Sequence, residues 1–295
     1  MLRLSPMTVQ VPAFLRTTVA PDTPAWVKIA NWIFFGVIGL GIIAFATYLF
    51  TFRQTISLYG PFLLRATITT VLIAICSIIL AVLLGAIGAW GKLSGGKIPQ
   101  SIATVYVEFI RGTPTLVQML IWGFGVGGLL SQVGFDPRQI AFNVMTVLQS
   151  NSLVSPLFNF IFYGIIGLGF NYGAYLTEVF RSGITTIDKG QTEAGLSLGM
   201  TGRQTMRRII IPQGLALIIP PFTNNFITLI QDCALLSVIG VPELQNMTNS
   251  FANPITDGDT KLFVYVLGAL FYLSLCYPLS LLARYLERRM SQGLA

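Results

Sequence analysis

Six long apolar runs, separated by shorter polar segments, dominate the pattern of hydrophobic and polar positions along the chain. A helix needs about 20 residues, each rising about 1.5 Å, to cross the hydrocarbon core of a bilayer. The runs cover residues 31–52, 61–90, about 114–130, about 157–180, about 215–239 and 262–285. We therefore predict an all-α integral membrane protein with about six transmembrane helices.

Two of the runs are expected to depart from a simple straight span. The second is long for a single crossing, so we expect it to tilt or to extend past the bilayer. The fifth contains Pro220 and Pro221, which remove hydrogen-bond donors from a helix, together with several polar residues. We expect the fifth span to be broken at these prolines.

The positions of Lys and Arg predict how the spans are oriented. With the N-terminus inside, 13 of the 18 Lys and Arg residues fall in inside segments, as the positive-inside rule requires. Both termini are therefore predicted to be cytoplasmic, and residues 1–30 form a cytoplasmic tail that does not look like a cleaved signal peptide. Residues 131–156 become an outside loop, part of which could form a short surface helix.

Composition narrows the classes of function. Only 10% of residues are charged and 54% are hydrophobic, whereas a soluble domain carries roughly a quarter charged residues. The net charge of +7 is not accompanied by a basic run interleaved with aromatics, so nucleic acid is excluded as a partner. Three isolated cysteines and the absence of histidine argue against a disulfide framework, a metal site and His-based catalysis.

The longest charged segment, residues 181–212, joins the fourth and fifth spans. Its sequence predicts a short helix, a turn at Gly199, and a second, basic helix that Pro212 stops. Glycine suits this turn because it adopts positive φ without steric cost. The two short helices would stand off the membrane and offer a docking surface.

The spacing in this segment resembles the cytoplasmic signature of ABC importer permeases: Glu-Ala-Ala, three residues, Gly, nine residues, Ile-x-Leu-Pro. Two positions differ mildly, with Gly195 in place of the second Ala and Ile211 in place of Leu. The resemblance implies that the loop sits in a groove of a cytoplasmic ATPase dimer and transmits its closure. The alternative is an ordinary basic loop. The matching positions are Glu193, Ala194, Gly199, Ile209 and Pro212, and the implied coupling residues are Glu193, Ala194, Gly195 and Gly199.

A second motif precedes the third span, where residues 107–118 read V-E-F-I-R-G-T-P-T-L-V-Q. Glu108 and Arg111 can pair on one helix face, and Gly112 and Pro114 are expected to break the helix. The backbone groups freed at Gly112 and Thr113 could bind a polar solute. The motif resembles the Glu-x-x-Arg-Gly-Thr-Pro sequence of the polar amino-acid permease family. The alternative is a kink with a local ion pair.

A third stretch, from Pro220 to Glu243, also resembles this family. Asn224, Asn225 and Asp232 are polar residues in an apolar span and are therefore functional candidates. Asn225 and Asp232 are seven positions apart, or two helical turns, which places both on one helix face. The resemblance implies that this helix lines the substrate site and that an acidic residue there suits an ammonium group.

The chain departs from the family pattern in ways that bear on specificity. Gln231, Cys233 and Ala234 stand where Lys, Thr and Ser are usual, which removes a positive partner for Asp232. Asn225 stands where permeases for basic amino acids can carry Glu. These differences favour a neutral polar or broad amino-acid specificity. The alternative for Asp232 is a structural contact.

The matched stretches run from about 61 to 289 and imply a five-helix core with the fold of type I ABC importer permeases. Span 31–52 is an addition to it. The resemblance implies a bacterial inner-membrane location, a second permease subunit, identical or homologous, an extracytoplasmic solute-binding protein and an amino-acid substrate. ATP and Mg are expected on the partner ATPase, because this chain has no G-x-x-x-x-G-K-[ST] motif.

Two other classes of function account for the sequence less well. An ion-coupled secondary transporter using Asp232 would usually show an internal repeat, and none is found; it also leaves the Glu193 spacing unexplained. Against an integral-membrane enzyme stand the absence of histidine from the sequence, the lack of a metal-ligand cluster and the scarcity of paired carboxylates. Glu178, at the end of the fourth span, is expected only to pair with Arg181.

Overall fold

The computed structural model describes residues 24–147 and 156–291, which form helices joined by short turns and contain no strand. Most of the predicted tail 1–30 and part of the predicted outside loop 131–156 lie outside the described residues. Six helical stretches are long and apolar enough to cross a membrane, which confirms the predicted number of spans.

The first helix, α1 (Ala25–Thr51), belongs to a compact unit that ends at Gln54. It is apolar on all sides, as a helix surrounded by lipid requires. It begins six residues before the expected Asn31, because Trp26, Val27 and Ile29 extend the apolar run. The residue before its first turn is Pro24, and proline is common near the start of a helix because its φ is already fixed. The first span is therefore longer at its N-terminal end than the hydrophobic pattern indicated.

The remaining helices form a second unit, from Thr55 onward. Helix α2 (Arg53–Leu93) has 41 residues and is about 60 Å long, roughly twice the thickness of the hydrocarbon core. The expectation that it tilts or extends past the bilayer follows directly from this length. It packs closely on α7 (Phe158–Thr185), because a Cβ at Gly88 would lie 2.2 Å from Thr177 Oγ1.

The third span is interrupted where the sequence predicted. Helix α3 (Lys97–Arg111) ends before Gly112, and α4 (Thr115–Leu120) begins after Pro114. A π-helical turn, Ile121–Val126, and α5 (Gly127–Gln132) complete the span. Helix α6 (Pro137–Val147) follows and is largely exposed, which agrees with the short surface helix expected in the 131–156 loop.

After α7 the chain forms α8 (Lys189–Ser197) and α9 (Gly202–Thr205) and passes through a π-helical turn, Met206–Ile210, into α10 (Ile211–Asp232). A 3₁₀ segment (Cys233–Ile239) then leads to α11 (Leu244–Ala252) and to α12 (Gly258–Ser291). The core of this unit lies between α2, α4, α7, α10 and the 3₁₀ segment.

Two expectations about proline were wrong. Pro212 does not stop the second loop helix but lies in the first turn of α10, directly after the π-helical turn. The wider i→i+5 spacing there makes the missing N–H of Pro212 harmless. Pro220 and Pro221 lie inside a continuous α10, because unpaired backbone groups in an apolar environment cost more than the strain of keeping the helix.

Candidate functional site

A polar pocket of about 170 Å³ lies where the start of α4, the middle of α7 and the C-terminal half of α10 meet. Asn225 and Asp232 both line it, so the two residues share one face of α10 as their spacing indicated. Asn224 is exposed and is not part of the lining. The residues that line the pocket are Thr115, Asn171, Tyr172, Tyr175, Asn225, Thr228 and Asp232.

The carboxylate of Asp232 is held by a tyrosine rather than by a cation. Tyr172, on α7, donates its hydroxyl hydrogen to Asp232 Oδ2 over 2.8 Å. Asp232 takes part in no ion pair with the described residues. The hydroxyl of Tyr172 therefore supplies a neutral donor to Asp232 in a chain that has Gln231 instead of a lysine beside it.

The amide of Asn225 is partly engaged by its own helix. Its Nδ2 donates to the carbonyl of Pro221 over 2.8 Å, and Thr223 donates to the carbonyl of Ile219 over 2.7 Å. Both carbonyls belong to the turn around the two prolines. The side-chain amide of Asn225 thus stabilises the helix at Pro221.

A buried glutamine connects the break between α3 and α4 to the pocket. Gln118 is 4% exposed, and its Nε2 donates to the carbonyl of Ile110 over 2.7 Å and to Thr113 Oγ1 over 2.8 Å. Its Oε1 accepts from Asn171 Nδ2 over 3.0 Å, and Asn171 lines the pocket. The carbonyl freed by the helix break is thus satisfied within the protein.

The residues of the break itself are placed as follows. Gly112 closes the last turn of α3, with its N–H donating to the carbonyl of Glu108 over 2.9 Å. Thr113 accepts from Gln118 through both its carbonyl and its hydroxyl oxygen. Neither residue lines the pocket, and a direct role for them in binding a solute stays a prediction.

The ion pair expected between Glu108 and Arg111 is not among those that the described residues form. Glu108 is exposed, and the guanidinium carbon of Arg111 lies 5.7 Å from the ring centre of Tyr175. A cation over an aromatic face is attracted by the ring quadrupole, which competes with an exposed i,i+3 pair. Arg111 thus contacts a residue that lines the pocket.

Glu178 pairs with Arg181 over 2.8 Å, as expected, and it also pairs with Lys92 at the end of α2. Lys92 was not foreseen as a partner, since 86 residues separate it from Glu178. The three charges join the C-terminal ends of α2 and α7 immediately before the 181–212 segment. The ordinary pairing role expected for Glu178 is confirmed and extended.

The 181–212 segment folds as two short helical pieces around a glycine turn. Asp188 caps α8 by accepting from the N–H of Gly190 over 2.6 Å. Gly199 has φ of 79° and closes a Schellman turn, in which the N–H of Met200 donates to the carbonyl of Gly195. The predicted turn at Gly199 is confirmed.

Gly195 packs the two pieces together. A Cβ at this position would lie 2.8 Å from Thr205 Cγ2 and 3.1 Å from Ile209 Cδ1. Glu193 and Ala194 precede it on the exposed side of α8, and Leu198 is 81% exposed after it. The buried face of α8 thus rests on the start of the next span, and its other face is open to a partner.

Sequence reasoning missed Asn171, Tyr172, Tyr175, Thr115 and Thr228 as lining residues. Asn171 could have been found, because it is a polar residue in an apolar span, the same criterion that selected Asn225. The others could not, since Tyr and Thr are common in membrane helices for structural reasons. Their roles depend on which face of α7 meets α10, and this is a tertiary property.

Comparisons with known proteins agree with this architecture. A family profile described as "Binding-protein-dependent transport system inner membrane component" matches residues 77–292. An arginine transport system permease protein of Corynebacterium glutamicum is 34% identical over 80% of this chain and 70% of its own length. A histidine/lysine/arginine/ornithine transport system permease protein of Escherichia coli is 33% identical over 80% and 97%.

Solved structures give the same result. A crystal structure of an amino acid ABC transporter with histidines has a TM-score of 0.66 and 30% identity, covering 80% of this chain and 97% of that one. An inward-facing MetNI methionine ABC transporter has a TM-score of 0.54 at 15% identity, which is a likeness of fold alone.

Proposed function

The chain belongs to the family of inner-membrane components of binding-protein-dependent transport systems, and on that premise we propose that it is the permease subunit of an ATP-driven importer of amino acids. The observation that carries the substrate class is the pocket around Asp232. Similar proteins from Corynebacterium glutamicum and Escherichia coli bear the names of amino-acid transport systems. Those names support the proposal.

The pocket suits a small zwitterion. Asp232 offers one carboxylate, and its Oδ1 accepts no hydrogen bond from the described residues, so it is open to an α-ammonium group. Amide and hydroxyl groups of Asn171, Asn225 and Thr228 surround it. A volume of about 170 Å³ is below the roughly 300–1,000 Å³ of pockets for drug-sized ligands.

The side-chain specificity follows from the count of charges. Asp232 is the only carboxylate among the lining residues, and the α-ammonium group of the substrate occupies it. A guanidinium or ε-ammonium group would then lack a counter-charge in a poorly solvated place, which is costly. A neutral polar or broad range of amino acids is therefore the proposed substrate class.

The exposed face of α8 is the proposed contact for a cytoplasmic ATPase dimer, which would bind ATP and Mg. Glu193, Ala194 and Leu198 would meet the ATPase, while Gly195 fixes α8 on the start of the next span. A displacement of α8 is then carried along one continuous helical stretch, 202–239, whose α10 ends at Asp232. This gives a mechanical route from ATP-driven closure to the pocket.

The complete importer would contain two permease subunits, identical or homologous, two ATPase subunits and an extracytoplasmic solute-binding protein. The chain is a multi-pass membrane protein with both termini on the cytoplasmic side. Helix α1 lies outside the matched residues 77–292 and is an addition to the core. Alternating access of the Asp232 pocket to the two sides would move the substrate, and family membership gives no support to ion coupling.

The proposal is tested with the chain reconstituted in proteoliposomes with its ATPase and binding-protein partners. A panel of amino acids is scored for uptake and for stimulation of ATP hydrolysis. Glu193→Ala is expected to leave membrane insertion intact and to separate hydrolysis from uptake. Absence of stimulation and uptake with every amino acid would overturn the substrate class, and normal uptake by Glu193→Ala would overturn the coupling role.

A further inference from the structure

A carboxylate outside the pocket is entirely enclosed by protein. Glu243 precedes α11 and is 0% exposed. Its Oε1 accepts from the N–H of Asn246 over 2.6 Å, and its Oε2 accepts from the N–H of Gln245 over 2.8 Å. It therefore caps the N-terminus of α11, where the helix dipole also favours a negative charge.

The same carboxylate makes a second connection, to a different helix. Tyr272, on α12, donates its hydroxyl hydrogen to Glu243 Oε2 over 2.9 Å. The next residue along, Leu244, donates its N–H to Thr70 Oγ1 of α2 over 3.1 Å. Three helices of the second unit, α2, α11 and α12, are joined at this junction.

Capping alone does not account for a glutamate at this position. The side chains preferred as N-caps are the shorter Ser, Thr, Asp and Asn, which reach the first amides of the helix without an extra methylene. The longer side chain of Glu243 reaches both the amides of α11 and the hydroxyl of Tyr272. Its additional length thus serves the connection to α12.

The junction is linked to the pocket by a short path. Asn246, in the first turn of α11, donates from Nδ2 to the carbonyl of Ser237 over 3.3 Å. Ser237 belongs to the 3₁₀ segment that begins directly after Asp232. Gly240, with φ of 80°, turns the chain back between the two. The placement of α11 therefore influences the placement of the 3₁₀ segment that directly follows Asp232.

We infer that Glu243 is a positioning residue for substrate recognition, which acts by tethering α11 to α12 through Tyr272 and thereby holding the 3₁₀ segment and Asp232 in their binding arrangement. This inference rests on the proposed function. Glu243 does not contact the substrate; it restricts the conformations of the free pocket, and such pre-organisation raises affinity without adding a contact.

Two variants separate the tether from the cap. Tyr272→Phe removes only the hydroxyl, and Glu243→Asp keeps a good N-cap but shortens the side chain away from Tyr272. In the reconstituted importer both are expected to raise the KM for uptake about tenfold, since a hydrogen bond to a charged group is lost, with kcat little changed. Asp259→Asn, which alters an exposed carboxylate at the start of α12, should leave KM unchanged.

The possible results are distinguishable. Uptake by the wild-type importer with an unchanged KM in both Tyr272→Phe and Glu243→Asp would overturn the tether and leave the proposed function standing. Absence of uptake of every amino acid by the wild type would overturn the proposed function instead. Hydrogen exchange on the purified complex tests the tether independently: amides of residues 233–252 should exchange faster in both variants, and unchanged protection would overturn it.

Discussion

The hydroxyl of Tyr172 donates a 2.8 Å hydrogen bond to Oδ2 of Asp232 and so joins the middle of α7 to the end of α10. The bond fixes one oxygen of the carboxylate of Asp232, a residue that lines the pocket. Because α8 follows α7 and precedes α10 along the chain, the two helices that hold this pair also flank the 181–212 segment. A change in the position of α7 relative to α10 would therefore change this hydrogen bond.

Tyr172→Phe is predicted to raise the KM for uptake roughly tenfold or more, because Asp232 loses its donor and can rotate away from the substrate. A hydrogen bond to a charged group contributes about 1.5–3 kcal/mol, and about 1.4 kcal/mol corresponds to a factor of ten. Uptake kinetics in proteoliposomes measure the effect. Tyr277→Phe, which changes an exposed tyrosine of α12, is the control, and an equal KM in both variants would contradict the prediction.

Gln118→Leu is predicted to destabilise the chain by about 1–3 kcal/mol, the usual cost of leaving buried polar groups unsatisfied. The change would remove the hydrogen bonds that the buried Gln118 makes with the carbonyl of Ile110, the hydroxyl of Thr113 and the amide of Asn171. The midpoint temperature of thermal unfolding in detergent should fall, and size-exclusion chromatography of heated samples measures it. The exposed Gln100→Leu on α3 should not shift it; similar midpoints for both variants would argue against the network.

The spans, the break before Pro114 and the turn at Gly199 could be predicted from the sequence, because each depends on local patterns of apolar residues, proline and glycine. The continuity of α10 through Pro220 and Pro221 could not, since the cost of unpaired backbone groups depends on the surrounding bilayer. Asn225 and Asp232 were found as a pair on one face. Tyr172 was not, because its role requires the rotation of α7 against α10.

The glycine at position 195 is required by the close packing of Thr205 against it. Gly195 stands where the signature of ABC importer permeases has alanine, and Thr205 fills the space that an alanine Cβ would need. Thr205 is itself buried and donates to the carbonyl of Thr201 over 3.1 Å. The two residues therefore form a matched pair that sequence spacing alone does not reveal.

Gly195→Ala is predicted to destabilise the packing of α8 on the next span by about 1–3 kcal/mol, as overpacking of a filled site does. ATP hydrolysis stimulated by substrate should fall, because α8 would be displaced from its contact with the next span. Thr205→Ala in the same chain removes Cγ2 and Oγ1 of Thr205, the two atoms nearest to the added Cβ, and should restore much of the stimulation. Failure of the double variant to recover would show that the clash is not the cause.

Glu178→Gln is predicted to destabilise the chain more than Arg181→Gln, because it leaves Lys92 without a partner. The side chain of Lys92 is 12% exposed, whereas that of Arg181 is 37% exposed, and an uncompensated charge costs more the less water reaches it. We expect about 1–2 kcal/mol for Glu178→Gln and under about 1 kcal/mol for Arg181→Gln.

A double-mutant cycle with Lys92→Met and Glu178→Gln, measured by thermal unfolding, isolates the interaction between Lys92 and Glu178. If the losses of stability in that cycle add strictly, the ends of α2 and α7 are held by packing alone. A larger loss of stability for Arg181→Gln than for Glu178→Gln would contradict the predicted order of the two variants.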